Sequence, residues 1–226
     1  MLASSYLFGL RFPLFLFYDQ TYLQVFILWF GWYGFNTGSI ISLTHNENHN
    51  IASHTAICTT LAAAAGAVMT LFVHTIVEER LTGEIKFNLQ YAMNGCLSGL
   101  VSITAGCSVV ESWASIVIGF VGGALYLGCT KYLVKHRIDD AVDAIPVHMI
   151  NGAWGVLSVG LFAEPTLMQS VYGRSEHVGW FYSWGRGSAD ARLLACQVVG
   201  ILFVCGWVFA TMAPFFWLLH YFGYLR

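Results

Sequence analysis

Long uncharged stretches divide the chain, and its charged residues lie between them. No Asp, Glu, Lys or Arg occurs between Asp19 and Glu47, and none between Glu47 and Glu78. A helix needs about 20 mostly apolar residues to cross a hydrocarbon core of about 30 Å. The pattern predicts six transmembrane helices, near residues 22–42, 53–76, 88–108, 113–134, 144–162 and 192–222. Because the last is longer than one crossing, we expect it to tilt, to kink near Pro214 or to extend past the bilayer.

The apolar stretches are continuous, as in LAAAAGAVMTLFV and SIVIGFVGGALYLGC. Transmembrane β-strands instead alternate in polarity over about ten residues, so the predicted fold class is all-α, a polytopic membrane helix bundle. Composition agrees, since 57% of residues are hydrophobic and 10% are charged, whereas soluble domains carry about 25% charged residues. The lipid bilayer is therefore an expected partner. A net charge of −2 argues against nucleic acid.

Lys and Arg in short loops predict the orientation of the helices. Loops 77–87 and 131–143 carry five of them and lie on one side if six helices alternate, so we assign that side to the cytoplasm. Loop 163–191 holds Arg174 and Arg186 on the opposite side, but long loops constrain the orientation less than short ones. Both chain ends are then expected in the cytoplasm.

Three regions follow from these boundaries. Residues 1–21 are interrupted by Arg11 and Pro13 and are interpreted as an interfacial lead-in without an assigned domain. Residues 22–222 form the membrane domain, and residues 223–226 form a short cytoplasmic tail. Glycine pairs four residues apart, which allow close helix approach, occur in three of the spans: Gly34 and Gly38, Gly95 and Gly99, Gly119 and Gly123.

The first span ends in a dense aromatic and polar segment, ILWFGWYGFNTGS, residues 27–39. One interpretation is an interfacial aromatic belt followed by a helix terminus. The other is a vestibule, in which ring faces and a hydroxyl hold a small cation by cation–π attraction and hydrogen bonding. Trp32, Phe35 and Ser39 are the candidates for that second role.

His148 is the one histidine deep inside an uncharged span, in DDAVDAIPVHMINGAWG. An ionisable side chain at membrane depth normally faces the bundle interior or an aqueous path. A neutral imidazole has one donor and one acceptor, which suits a small hydrogen-bonding solute or a proton; a bond to a neighbouring helix is the alternative. The preceding Asp139, Asp140 and Asp143 are predicted to cap the amino end of the helix.

Other chemistry is weakly supported. His45, Glu47, His49 and His54 favour a solvated external loop over a metal site, and the six cysteines are interpreted as small packing residues. No nucleophile elbow, P-loop or dinucleotide fingerprint occurs. We therefore expect no enzyme activity, no cofactor and no metal.

Several stretches together resemble the ammonium transporter family (Amt/Mep/Rh), and its ammonium-transporter branch more than the Rh glycoproteins. They cover most of the chain from about Tyr22 to His220, in family order: ILWFGWYGFNTGS, NGCLSGLVSITAGCSVVESWASIVIGFVGGALY, DDAVDAIPVHMINGAWGVLSVGLFA and ARLLACQVVG. The family fold has eleven helices, two inverted five-helix repeats and a final long helix, and assembles as homotrimers. The resemblance implies that this sequence corresponds to the second repeat and the last helix, a fragment of about half that fold.

The resemblance also assigns roles. Phe35 matches the second aromatic of the pore gate, Ser39 the hydroxyl of the outer ammonium site, and Trp32 lies in the same vestibule segment. His148 matches the tenth-helix member of a histidine pair, whose fifth-helix partner has no counterpart here. The implied mechanism is recruitment of ammonium at the outer mouth, deprotonation, and passage of ammonia past the histidines while the proton is relayed.

The implied function is transmembrane transport of ammonium or ammonia, with the plasma membrane as the family's usual location. The alternative is a half-length subunit that does not transport and associates with full-length ammonium transporters as a structural or dominant-negative partner.

Overall fold

A computed structural model describes residues 14–40, 48–85 and 87–224 of the 226-residue chain. Its regular structure is helical, which confirms the predicted all-α class; the described part adds only one isolated β-bridge, between Val110 and Ala163. The elements are α1 (Leu14–Gly38), α2 (Asn48–Thr82), α3 (Leu89–Thr104), α4 (Ser112–Lys135), a π-helical segment here called the π-turn (Ile145–Ile150), α5 (Asn151–Phe162), α6 (Pro165–Tyr172), α7 (Trp180–Gly185) and α8 (Arg192–Tyr221).

The six predicted spans correspond to α1, α2, α3, α4, the π-turn with α5, and α8. Four helices of the described part are long and apolar enough to cross a membrane: His49–Thr82, Ser112–Lys135, Ile145–Phe162 and Arg192–Tyr221. Helix α3 has 16 residues, about 24 Å at 1.5 Å per residue, which is less than a full hydrocarbon core. Helix α1 is long enough, with 25 residues, but is rich in Trp and Tyr.

Several predicted boundaries differ from the structure. Helix α1 begins at Leu14, inside the predicted lead-in 1–21, of which residues 1–13 lie outside the described part. Helix α2 begins at Asn48, so His49 and His54 belong to a helix and not to a loop. Loop 163–191 contains α6 and α7, two short helices that its polar composition did not reveal. Of the predicted tail 223–226, residues 225–226 are outside the described part.

Glycines allow α2, α3 and α4 to pack backbone to backbone. A Cβ at Gly99 or Gly119 would overlap the carbonyl of Ala62 on α2, and a Cβ at Gly95 would overlap the Thr70 side chain. Two of the predicted glycine pairs, on α3 and α4, therefore do mediate packing. A Cβ at Gly34 or Gly38 would meet open space, so this third pair mediates no packing within the described part of the chain.

The helix connections define two ends of the bundle. At the end here called the upper end, Glu164 N–H donates to the Val109 carbonyl at 2.8 Å, and His54 Nε2 lies 2.8 Å from the Val110 carbonyl. These bonds join the start of α2, the α3–α4 connection and the end of α5. The α2–α3 connection and the segment before the π-turn lie at the opposite, lower end.

Helix α8 packs against α5 and is the most open element of the described part. None of its side chains is buried, and it continues through Pro214 as one helix. Cys196 and Cys205 are exposed on it, whereas Cys58, Cys96 and Cys107 are buried. The packing interpretation of the cysteines therefore holds for those three, while the two on α8 are not packed within the described part of the chain.

Candidate functional site

The upper end of α1 is anchored to α3 through Trp32. Its indole N–H donates to the Thr104 hydroxyl at 2.8 Å, and its ring packs beside the buried Ala63, Cys96 and Leu100. The Phe35 ring stands edge-on to it, with centroids 6.4 Å apart and planes at 63°. Since Phe35 is 62% exposed, the pair combines one fixed ring with one open ring.

Ser39 lies one turn beyond Phe35 on the same open face. Its hydroxyl donates to the Phe35 carbonyl at 2.6 Å. The hydroxyl proton is therefore already donated, and the oxygen lone pairs remain available as acceptors. A ring face and a hydroxyl oxygen placed side by side can attract a small cation. This geometry also suits an interfacial aromatic belt, the other interpretation of the segment.

Two further polar residues fix α1 against α2. The Asn36 side chain is buried and donates to the Thr59 hydroxyl at 3.0 Å. One turn earlier, the Tyr33 hydroxyl lies 2.6 Å from the Thr60 hydroxyl. These bonds set the rotation of α1 about its axis and leave Phe35 and Ser39 on its outward side.

His148 lies in the π-turn and opens into an apolar cavity of about 790 Å³ between α5 and α8. One wall contains Met149 and Ala153, and the facing wall contains Val204 and Phe209. No side chain or backbone group of the described residues forms a hydrogen bond with the imidazole. The imidazole thus forms no bond to a neighbouring helix within the described residues, and its place on an open path stays a prediction.

The amino end of the π-turn is capped by Asp140. Its two carboxylate oxygens accept the backbone N–H groups of Ala144 and Ile145 at 2.9 and 2.7 Å. These hydrogen bonds lower the pKa of the Asp140 carboxyl below its ordinary value. The capping prediction is thus confirmed for Asp140.

Asp143 does not cap the helix through its carboxylate, which corrects the prediction. Its Oδ2 accepts from Asn94 Nδ2 at 2.8 Å and from the Tyr126 hydroxyl at 2.9 Å. Nearby on α3, the Tyr91 ring lies against His74 of α2, with ring centroids 3.8 Å apart and planes at 56°. The sequence analysis assigned no role to Asn94, Tyr126, Tyr91 or His74. The polar side chains of Asn94 and Tyr126 inside apolar spans were a signal that could have been used.

A second cavity, of about 450 Å³, lies at the upper end and contains His54, Glu111, Trp113 and Glu164. The Glu111 carboxylate in it already accepts hydrogen bonds within the fold, from the Trp113 indole and the Tyr182 hydroxyl. Burial raises the pKa of Tyr182, and the Glu111 carboxylate raises it further. The described residues contain no group of His, Cys, Asp or Glu that could hold a metal ion; His45 and Glu47 lie outside them.

The predicted site residues therefore fall into two groups. Trp32, Phe35 and Ser39 lie together at the upper end of α1, whereas His148 lies on the π-turn and faces α8. Within the described part of the chain, no hydrogen bond or ring contact joins the two groups.

Comparison with known proteins decides the family. The model of the Ammonium Transporter Family matches residues 20–226. The chain belongs to the ammonium transporter family. Ammonium transporter 1 member 3 of Oryza sativa subsp. japonica is 40% identical over 212 residues, and the match covers 90% of this chain and 41% of that protein. Putative ammonium transporter 1 member 5 of Arabidopsis thaliana is 40% identical over 213 residues, with the same two coverages.

Solved structures of ammonium transporter family members agree with the fold. The crystal structure of Candida albicans Mep2 matches with a TM-score of 0.75 and 26% identity, over 90% of this chain and 41% of that one. Saccharomyces cerevisiae Mep2 matches with a TM-score of 0.68 and 28% identity, over 82% of this chain and 40% of that one. The resemblance found in the sequence is confirmed, and the chain is a multi-pass membrane protein that spans about two fifths of the length of these relatives.

Proposed function

We propose that this chain forms one wall of a transmembrane path for ammonium and ammonia. The observation that carries the proposal is His148, which opens into an apolar cavity without a hydrogen-bond partner among the described residues, in a chain of the ammonium transporter family. The relatives of this chain are named as ammonium transporters. Ammonium is therefore the proposed substrate.

Recruitment begins at the upper end of α1, the end assigned to the outside by the Lys and Arg distribution. Removing a cation from water costs several kcal/mol even after relaxation of the protein. The Phe35 ring face offsets part of this cost, since a cation–π contact contributes about 0.5–2 kcal/mol. Ser39 adds a hydroxyl oxygen as acceptor, and Trp32, held by Thr104, keeps the adjoining ring surface in place.

The path past His148 suits a neutral solute. Its lining is almost entirely apolar, and a charge at membrane depth is costly, so ammonia crosses this region more readily than ammonium. The imidazole offers ammonia one donor and one acceptor, and its ring nitrogens can exchange a proton with a bound solute. His148 thus binds the solute along its path and is one station for the released proton.

The path requires a second wall. Helix α8 buries none of its side chains, and within the described part of the chain the cavity is bounded by the π-turn with α5 and by α8. We propose that another five-helix segment, related to this one by inversion in the membrane plane as in other repeat-built transporters, covers that side. Assembly as a homotrimer and residence in the plasma membrane are parts of the same proposal.

Uptake of labelled methylammonium tests the function, in cells that lack their own ammonium transporters and express the natural polypeptide with any sequence encoded upstream of Met1. His148→Ala should lower uptake at least about tenfold, equivalent to about 1.4 kcal/mol, at unchanged surface expression. His136→Ala, which removes an exposed loop histidine, is the matched control and should have no effect. Normal uptake by the His148→Ala variant would remove His148 from the mechanism.

The same expression system tests the non-transporting subunit, which no contact within the described residues favours. If the natural polypeptide takes up no methylammonium alone but co-purifies with a full-length family member and lowers its uptake, that alternative replaces the transporter proposal. Robust uptake without a partner protein excludes it.

A further inference from the structure

The π-turn that carries His148 is closed by a side chain. Pro146 has no N–H, so the turn lacks one backbone donor. The Pro146 carbonyl accepts a hydrogen bond from Asn151 Nδ2 at 2.8 Å, five residues further along, which is the residue spacing of a π-helical bond. Asn151 is fully buried, and its side chain therefore completes the turn from within the bundle.

Ser102 on α3 fixes the other end of the Asn151 amide. Its hydroxyl lies 3.0 Å from Asn151 Oδ1 and 2.7 Å from the Ser98 carbonyl, so its single proton is shared between two acceptors. The amide has one possible orientation, because a carbonyl such as that of Pro146 only accepts and must face the NH₂ group. Ser102 is fully buried as well.

Helix α4 leaves the space for this pair at Gly122. A Cβ there would overlap the Ser102 hydroxyl and lie 3.0 Å from Asn151 Oδ1. Three helices thus meet around two polar side chains: α3 supplies the hydroxyl, α4 supplies the gap, and α5 supplies the amide. Each buried polar atom of the amide has a partner, which is the condition under which such a network makes a structure rigid.

We propose that Asn151 and Ser102 are positioning residues that aim His148 into the cavity between α5 and α8. A π-helical segment has one residue more than the α-helix that would replace it, and a shift by one residue rotates a helical position by about 100°. Without the amide bond to Pro146, the turn relaxes and the imidazole leaves its direction toward Val204 and Phe209. The functional importance of this imidazole orientation rests on the proposed function, but the orientation itself is a property of the fold.

Thiol labelling at two positions of the same cavity tests the proposal in the full chain, inserted in membranes. One background carries Cys129→Ser, Cys196→Ser, Cys205→Ser and His148→Cys; the other keeps Cys205 as its exposed thiol. The reagent is N-ethylmaleimide, and the measurement is its labelling rate. Cys205 lies on the wall opposite position 148, so it reports whether the cavity as a whole survives.

Asn151→Ala should change the labelling rate at position 148 at least about fivefold, since loss of a buried hydrogen bond of about 1 kcal/mol shifts a local equilibrium by that factor. The rate at Cys205 should change less than about twofold. Ser102→Ala is the milder second variant, in case Asn151→Ala does not insert, and should act in the same direction. Asn151→Leu keeps a similar size but has no group that can donate to Pro146, so it should resemble Asn151→Ala.

Ser158→Ala is the matched control. Ser158 is another fully buried serine, but its hydroxyl donates to the Gly155 carbonyl of its own helix at 2.7 Å, away from the π-turn. Unchanged labelling at position 148 in Asn151→Ala and Ser102→Ala overturns the proposal, and so does an equal change at position 148 and Cys205, which indicates a general loss of packing. Because labelling does not depend on transport, normal uptake by His148→Ala would sink the proposed function and leave this inference standing.

Discussion

Tyr126 on α4 donates its hydroxyl proton to Oδ2 of Asp143, 2.9 Å away. The Asn94 amide of α3 donates to the same oxygen at 2.8 Å and also to the Tyr126 hydroxyl at 2.9 Å. Asp143 has a φ of 54°, a left-handed conformation that is uncommon for residues other than glycine. This triangle therefore holds the segment before the π-turn against α3 and α4.

Tyr126→Phe tests the strength of that triangle. The substitution keeps the ring and removes the proton donated to a carboxylate, so the free energy of unfolding should fall by about 1.5–3 kcal/mol, the range for hydrogen bonds to charged groups. Thermal unfolding in detergent measures the effect. Tyr132→Phe, on an exposed ring of the same helix, should change stability by less than about 0.5 kcal/mol. Equal effects of the two variants would contradict the role given to Asp143.

The sequence indicated the helices, the aromatic end of α1 and His148, because each of these is a local pattern. A histidine or a cluster of rings inside an apolar span stands out wherever its neighbours in space lie. The sequence did not indicate the contacts that hold those residues in place. Asn94 and Asp143 are 49 residues apart, as are Ser102 and Asn151, and one sequence gives no measure of which distant polar residues meet.

The glycine pairs show the same limit within a single motif. Spacing of four residues is equal in α1, α3 and α4, yet only the pairs on α3 and α4 face another backbone. Helix α1 packs against its neighbours through Trp29, Trp32 and Asn36 instead. The face that a helix buries depends on all its side chains together, and small residues alone did not decide it.

Gly119→Ala should destabilise the bundle. A Cβ at this position would overlap the Ala62 carbonyl, and backbone gives way less readily than a side chain, so a cost of about 1–3 kcal/mol is expected. Gly128→Ala on the same helix is the control, since its Cβ would meet open space. That variant should be neutral or gain up to about 1 kcal/mol from helix propensity. A loss of stability in Gly119→Ala and none in Gly128→Ala, measured by thermal unfolding, supports the close crossing; equal losses in both variants refute it.

Asp140 should make the stability of the segment around the π-turn decrease at acidic pH. Its pKa in the fold is lowered by the N–H groups of Ile145 and Ala144, whereas the pKa of an unfolded Asp is about 3.9. Its contribution is therefore complete above that value and is lost as pH falls through the lower pKa of the folded state. Protease resistance of the segment around the π-turn, measured from pH 7 to pH 3, should stay level and then fall below about pH 4. Asp140→Asn should remove this part of the slope, and Asp139→Asn should retain it; equal slopes in both variants would exclude Asp140 as the cause.

Trp32 and Trp29 form a natural pair for measuring the anchor of α1. Both rings pack against the same buried cluster, but the Trp32 indole N–H donates to Thr104 at 2.8 Å and the buried Trp29 N–H has no partner among the described residues. Substitution by Phe removes similar volume at both sites, so the difference isolates the N–H group. Trp32→Phe should cost about 1–2 kcal/mol more than Trp29→Phe, because the first leaves a hydrogen bond unmade and the second removes a buried unsatisfied donor.

Thr104→Val should cost a similar amount, and the double variant with Trp32→Phe should cost clearly less than the sum, as expected for two residues in contact. Additive losses would show that the two side chains stabilise α1 independently, and the fixed ring beside Phe35 would then need another explanation.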